Sequence, residues 1–273
     1  MRGAELTRVE SGGVACWTDV ALRYEHGVVV AFTERNGGVS EPPFDTLDLA
    51  AHVGDDPGAV DANRNAALAA LGLGEFRARL VTAEQVHGSR IAVVGEATAG
   101  SGAYAAGGRS PVPSTDGLVT SLADTPLMLL FADCVPVVLV AMGPRPAVAI
   151  VHAGWRGAAA RIVARGVERL TEEAGCAATD VLAYVGPHIG ACHYEVGDDV
   201  LSRFAGVAAT ISPAPGRLDL LAAVVSDLDL IGVPMDQVVS LGVCTAEETE
   251  RFYSHRVEGL TGRHGAIAGL LGR

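Results

Sequence analysis

The chain contains no lysine; all 20 of its basic residues are arginine. Schiff-base catalysis, a pyridoxal-phosphate anchor and the lysine of a P-loop are excluded together. Any phosphate held here is therefore held by arginine or by backbone N–H groups. An excess of positive charge is missing as well. The formal net charge is −12, which argues against nucleic acid or an anionic membrane as partner, because neutralising phosphates needs a basic face. A small-molecule or sugar-linked substrate fits better. Cysteine is sparse: Cys16, Cys134, Cys176, Cys192 and Cys244 are odd in number, widely spaced and without a C-x-x-C pair. That pattern points away from a secreted disulfide framework and towards a reducing cytoplasm. Long apolar runs are absent too. The segment MRGAELTRVE has no signal-peptide core, and the longest apolar stretch, residues 126–142, is interrupted by Asp133, Cys134 and Pro136. It is expected to form two buried strands and not a membrane span.

What is present is a globular pattern. Apolar residues make up 49% of the 273 positions, enough for a full core in one large domain or two small ones. Strand and helix signals alternate along the whole length. Val28–Thr33 is a β-branched run that ends in FTERNGGVS. Asp56 and Pro57 open a helix in which Val60, Ala67, Leu68 and Leu71 share a face and which Gly72 ends, so Asn63 and Arg64 are expected on or beside its polar side. Short strands are expected at 79–82 and 91–94. Residues 95–114, rich in Gly, Ala, Ser and Pro, are expected to be a mobile surface loop. The runs Gly117–Thr120, 127–132, 135–140 and 147–151 are apolar enough to be buried on both faces and to form the central sheet. A helix over 155–173, a strand at Val181–Val185, a helix over 218–231 and a strand at 238–241 follow. The simplest account is one α+β domain over residues 1–273, with mixed sheets and outer helices.

Three short segments carry the chemistry. ADCVP with Cys134, VHAGWRG with His152 and EQVHG with His87 each place a metal-ligand type where an apolar strand run breaks into small residues. A lone buried histidine or cysteine is ordinarily a satisfied core residue. Three of them at strand ends, where side chains from separate strands can converge on a pocket, make a candidate set. A His, Cys, His set holds Zn²⁺ with three protein ligands and leaves the fourth tetrahedral position for water or substrate, as in a catalytic zinc. Eight histidines without a His-x-His pair do not furnish several copper centres, so a mononuclear site is expected. Copper can still occupy it, since the Irving–Williams order favours Cu²⁺ over Zn²⁺ at a given N and S site.

FTERNGGVS, HVGDD with DANRN, TAEQVHG, FADCVPV, VHAGWRG, GPHIGACHYEVG and CTAEETERFYSHRVEGLTGR occur in that order between residues 28 and 263. With them the chain resembles the YfiH family, also called the polyphenol oxidase or laccase-domain family, which includes the peptidoglycan editing factor. The resemblance implies an α-β-β-α sandwich of mixed sheets, like certain bacterial toxin deamidase domains, and a metal, usually zinc, on the positions of His87, Cys134 and His152. It also implies purine nucleoside phosphorylase activity on adenosine, inosine and methylthioadenosine, with adenosine deaminase activity. Deamination needs a zinc-activated water; phosphorolysis needs a phosphate held against the ribose anomeric carbon. Without lysine the candidate clamps are Arg64 and Arg156, with Arg35 as a third and Asn63 beside Arg64, because guanidinium forks bind phosphate oxygens bidentately. Cys134, Arg64 and Arg156 then form the expected catalytic set, and the entrance of the helix after His152 adds N–H donors.

Two segments depart from the family pattern. Where relatives often carry two adjacent cysteines, this chain has Cys192 followed by His193, and the GPHIGACHYEVG segment is read as pocket wall in preference to a second metal site on His188, Cys192 and His193, whose individual roles stay open. SHRVEG has Val257 after Arg256 where a second arginine is commoner, so that arginine's contact is not carried over, and His255 receives no role. Three other readings use the same residues: a Cys134–His152 hydrolase or editing enzyme acting on a peptidoglycan precursor, a copper-loaded polyphenol oxidase, and a non-enzymatic cell-wall or division partner with a structural metal.

Overall fold

The computed structural model describes residues 4–206 and 216–272. Among them, two sheets are formed. The first has the order β1-β2-β3-β11-β6 and is antiparallel throughout: β1 (Thr7–Ser11), β2 (Val14–Thr18), β3 (Val28–Thr33), β6 (Leu127–Phe131) and β11 (His264–Leu270). The second, ordered β10-β9-β7-β8-β5-β4, is mixed and contains β4 (Ile91–Val93), β5 (Gly117–Thr120), β7 (Val135–Ala141), β8 (Ala147–Ala153), β9 (Val181–Val185) and β10 (Val238–Ser240). Its edge pairs, β4 with β5 and β10 with β9, are parallel. The α-helices are α1 (Val20–His26), α2 (Pro57–Ala70), α3 (Trp155–Ala159), α4 (Ile162–Ala174), α5 (Asp198–Leu201), α6 (Leu220–Ile231) and α7 (His255–Glu258).

Period-two alternation sorts the strand residues into layers. Val28, Val30 and Phe32 of β3 meet Leu129 and Phe131 of β6, Val138 and Val140 of β7, and Ile150 of β8 in a core between the sheets. The alternate residues Val29, Ala31, Met128 and Ile267 turn outward and pack with Ala67, Leu68 and Leu71 under α2. On the far side Val137, Leu139, Ala149 and Val151 pack against Ile162, Val163, Val167 and Leu170 of α4 and Val224 and Leu228 of α6. The layers therefore run helix, sheet, sheet, helix, the single α+β sandwich expected. Each fully buried aliphatic side chain stabilises it by about 1.5–3 kcal/mol. No helix among the described residues is long and apolar enough to cross a membrane.

Several local expectations are corrected. The apolar runs between 117 and 151 do not share one sheet: β6 joins the first and β5, β7 and β8 the second. Residues 79–82 form no continuous strand; Val81 makes an isolated bridge to Leu127 after a 3-10 turn at Gly74–Arg79. The helix expected over 155–173 is split by Arg161, which adopts φ 56° and separates α3 from α4. The β1–β2 hairpin, closed by Gly12 and Gly13 at φ 59° and 83°, has the two positive-φ turn residues that favour glycine.

The polar side assigned to Asn63 and Arg64 is also corrected. Val60, Asn63, Arg64, Ala67 and Leu68 are all buried, and their spacing i, i+3, i+4, i+7, i+8 is that of one inward stripe. Both polar residues are tolerated there because their hydrogen-bonding groups are satisfied. Asn63 Nδ2 donates to Ser40 Oγ and to the Asp48 carbonyl at 2.8 Å, while its Oδ1 accepts from Val39 N at 2.8 Å. Arg64 donates to the carbonyls of Leu49, Gly102 and Ala103 at 2.9, 3.0 and 3.3 Å. The segment 95–114, expected as a mobile loop, is consequently tied to α2. Arg77 also donates to the Ala103 carbonyl, and Asp61 accepts from the N–H groups of Ala105 and Ala106.

Candidate active site

The chain passes from the first sheet to the second through Ala132, Asp133 and Cys134, between β6 and β7. Cys134 thus sits at the mouth of the inter-sheet core. His152, on β8, stands opposite Pro136 of β7 in the antiparallel register. His87 comes from the turn before β4, with φ 58°. That turn is fixed by Gln85, which mimics a neighbouring strand: its Nε2 donates to the Leu130 carbonyl and its Oε1 accepts from Leu130 N, both at 2.9 Å. The ligand atoms of His87, Cys134 and His152 all lie within 4.8 Å of one another. Gly154 makes this approach possible, since a Cβ there would stand 2.9 Å from Cys134 Sγ and 3.0 Å from His87 Cδ2.

Asp116, the fully buried residue just before β5, holds two of the candidate ligands in place. Its Oδ1 accepts from His152 Nδ1 at 2.9 Å and from His87 N at 2.8 Å, and its Oδ2 accepts from Gly88 N at 2.7 Å. Because a carboxylate only accepts, His152 carries its proton on Nδ1 and keeps Nε2 for a metal. Burial alone would raise the Asp116 carboxyl, but the His152 hydrogen bond and the backbone donors bring it below the usual range. The opposing effects are larger at Cys134. Burial pushes the thiol up, yet the charge and hydrogen bonding of His152 and His87 bring it down to about 6. Against its own burial, His152 is raised to about 9 by the Cys134 and Asp116 charges. A thiolate between two imidazoles, backed by a carboxylate and facing a side-chain-free glycine, fits a zinc ion.

The residue before the thiolate is equally constrained. Asp133 adopts φ 87°, a conformation that non-glycine residues hold only where the surroundings over-determine it. Its Oδ1 accepts from Thr245 Oγ1 and Ser254 Oγ at 2.7 Å, its Oδ2 from Arg256 N at 2.6 Å, and its carbonyl from Ile189 N at 2.9 Å. CTAEET, SHRVEG and GPHIG thereby converge behind Cys134.

These groups open onto a cavity of about 490 Å³, within the range of roughly 300–1,000 Å³ usual for small-molecule sites. Leu130, Ile189, Tyr194, Trp155 and Leu220 give it apolar walls, and Arg156, Arg256 and Arg263 line it. In a chain of net charge −12 the pairing of these arginines is informative. Arg8, Arg35, Arg77, Arg79, Arg161, Arg169, Arg217 and Arg251 each pair with a carboxylate. None of the three cavity arginines forms such an ion pair among the described residues. Arg256 donates to the carbonyls of His193 and Glu195, Arg263 to those of Thr261 and Gly262, and Arg156 stacks on Trp155 at 4.5 Å. Their charge remains available to an anion.

Of the anion-site residues singled out from sequence, Arg156 is therefore at the cavity and Asn63, Arg64 and Arg35 are not. Arg35 is buried, donates to the Thr249 carbonyl and Glu258 Oε1 at 2.7 Å, and lies 4.3 Å over the Tyr253 ring. Arg64 serves only buried carbonyls. Replacing Arg64 with alanine is expected to lower stability by about 3 kcal/mol, because three carbonyls lose a charged donor, and to leave the KM for phosphate unchanged. Urea unfolding beside phosphate titration checks this; unchanged stability with a raised KM would return Arg64 to the clamp.

Asp116, Arg256, Arg263, His52 and Tyr194 were not reached from sequence as site residues. The only signal for Asp116 was its place before a buried strand run. Val257 is exposed, whereas the preceding Arg256 reaches the cavity. His255 also lines the cavity, its Nδ1 donating to the Gly259 carbonyl at 2.7 Å. His188 is buried with Nδ1 on the Gly186 carbonyl and belongs to neither donor cluster found among the described residues. The GPHIGACHYEVG segment enters the cavity wall through Ile189 and Tyr194, whereas its Cys192 and His193 do not line the cavity and lie with Cys244 and Glu247 in a separate cluster.

Comparison with known proteins matches the sequence and the fold to a family. A relative from Streptomyces coelicolor named purine nucleoside phosphorylase is 39% identical over 242 residues, spanning 87% of this chain and 93% of that protein. The purine nucleoside phosphorylase YlmD of Geobacillus stearothermophilus is 37% identical over 256 residues, 89% of this chain and 90% of its own. The crystal structure of the Bacillus licheniformis hypothetical protein YfiH superposes with a TM-score of 0.87 at 33% identity, covering 96% of this chain and 98% of that one. The model described as multi-copper polyphenol oxidoreductase laccase matches residues 29–271, and the chain belongs to that laccase-like YfiH family.

Proposed function

We propose that this chain is a zinc-dependent purine nucleoside phosphorylase that also deaminates adenosine in the same cavity. The observation that carries the reading is the presence of three arginines without carboxylate partners among the described residues, beside a His, Cys, His donor set, in a chain whose relatives bear the name purine nucleoside phosphorylase. A zinc ion on His87, Cys134 and His152 supplies Lewis-acid polarisation and activation of water near neutral pH.

The chain's own residues do the rest. Arg156 and Arg256 hold inorganic phosphate by forked N–H donation, with Arg263 adding positive charge. Tyr194 and the apolar wall of Leu130, Ile189 and Leu220 hold the purine and exclude water from it. Phosphate attack forms a C1′–O bond as the C1′–N9 bond breaks, and the electron pair leaves on the base, which takes up a proton. Asp116 keeps His152 in one tautomer throughout. The cysteine-dependent site suits a reducing cytoplasm, where the thiol persists.

The test is base release from adenosine, inosine and methylthioadenosine with and without phosphate, alongside inosine formation from adenosine. Arg156→Ala and Arg256→Ala are each expected to raise the KM for phosphate about 10–100-fold, the equivalent of one charged hydrogen bond of roughly 1.5–3 kcal/mol. Base release that ignores phosphate, or an unaltered phosphate KM in both variants, would remove the phosphorylase reading.

A further inference from the structure

We propose a second zinc site, formed by Cys192, His193, Cys244 and Glu247 outside the cavity. The four donor atoms lie within 4.8 Å of one another, and the separations resemble the edges of a zinc tetrahedron. Cys192 Sγ and Cys244 Sγ are 3.7 Å apart, His193 Nδ1 is 3.2 and 3.8 Å from the two sulfurs, and Glu247 Oε1 is 3.6 Å from His193 Nδ1. Bonds of about 2.3 Å to sulfur and about 2.0–2.1 Å to nitrogen or oxygen give tetrahedral edges of about 3.8 Å for S–S, 3.6 Å for S–N and 3.3 Å for N–O.

Two further features preform the cluster. Gly190 donates its N–H to Cys244 Sγ at 3.2 Å, the outer hydrogen bond that commonly orients a metal ligand. A Cβ at Gly190 would come within 3.0 Å of Cys192 Sγ and 3.4 Å of Cys244 Sγ, so a glycine lets the sulfurs approach, as Gly154 does at Cys134. The backbone of the turn is held independently, with Arg217 donating to the Cys192 carbonyl and Arg256 to those of His193 and Glu195.

Four protein ligands close the coordination sphere, which is the pattern of a structural rather than a catalytic zinc. The ion clips the turn at 190–193 to the segment at 244–247. The first segment leads directly into Tyr194 of the cavity wall, and the second carries Thr245, which holds Asp133 beside Cys134. The second ion therefore acts as a positioning element for the first site and does not touch substrate. The assignment does not depend on the reaction proposed above, because its readout is metal binding.

The whole protein, kept reduced and dialysed against Zn²⁺, is expected to hold two ions per chain by metal analysis and native mass spectrometry. The double variants Cys192→Ser/Cys244→Ser and His193→Ala/Glu247→Ala should each hold one, as should Cys134→Ala, with circular dichroism confirming the fold. On Co²⁺ substitution the thiolate charge-transfer absorption should fall to that of one thiolate in the Cys192→Ser/Cys244→Ser protein. An ion count that the Cys192→Ser/Cys244→Ser and His193→Ala/Glu247→Ala changes leave at the wild-type value, or a Cys192–Cys244 disulfide in place of the ion, overturns the proposal; a single wild-type ion that these changes remove and Cys134→Ala retains supports it and counts only against zinc in the cavity.

Discussion

Replacing Cys134 with alanine is expected to strip the cavity of its metal and to lower kcat/KM for adenosine at least about 10³-fold, roughly 4 kcal/mol of transition-state stabilisation. The size of the effect follows from what the thiolate does. It is the one anionic member of the His87, Cys134, His152 set, and its charge raises His152. Without it two neutral imidazoles remain, a set too small to hold zinc against solvent. The fold should survive, because Cys134 lies at the edge of the inter-sheet core, only partly buried. Metal content, steady-state kinetics and melting temperature measured on one preparation separate the effects. Turnover near the wild-type rate in Cys134→Ala protein whose cavity site holds no ion would take the metal out of the reaction.

Asp116→Asn should have the next largest consequence, a loss of about 10–100-fold in metal affinity at the cavity, carried into kcat with little change in KM. Asp116 accepts from an imidazole and from the backbone of the turn that presents His87. An amide has one oxygen to offer and turns N–H donors towards donors. His152 is then free to move its proton to the nitrogen that should ligate, and the 86–88 turn loses an anchor. Competition with a chelator of known affinity measures the effect, and the split between kcat and KM distinguishes positioning from a damaged fold. Wild-type metal affinity in the variant would reduce Asp116 to a structural residue.

The strands near the site were legible because they are buried on both faces. Gly117–Thr120 and Val181–Val185 were delimited from the apolar run alone, and His87, Cys134 and His152 could be chosen because each ends such a run. Their partners were not legible. Asp116 and His152 are brought together by the pairing of β5 with β8, a long-range register that local composition does not encode. Asn63 and Arg64 misled for a related reason: their positions read as polar until the carbonyls of distant loops supplied acceptors. Cys244 was one of five scattered cysteines until the turn at Gly190 placed it against Cys192. Arg256 lay in a segment where attention went to the missing second arginine, although the arginine present faces the cavity.

Cys134 lies on the short span by which the chain leaves the edge strand of one sheet and enters the middle of the other, while His87 is tethered to the first sheet through Gln85 and His152 belongs to the second. The triangle of candidate ligands is therefore a gauge of how the two sheets are seated on each other. A repacking substitution deep between them, at Phe32 or Ile150, shifts one arm of the triangle against the others before it unfolds anything. If the triangle holds the proposed zinc, metal retention is expected to be a finer reporter of inter-sheet alignment than melting temperature, and some inactivating substitutions are expected at residues that never meet the substrate.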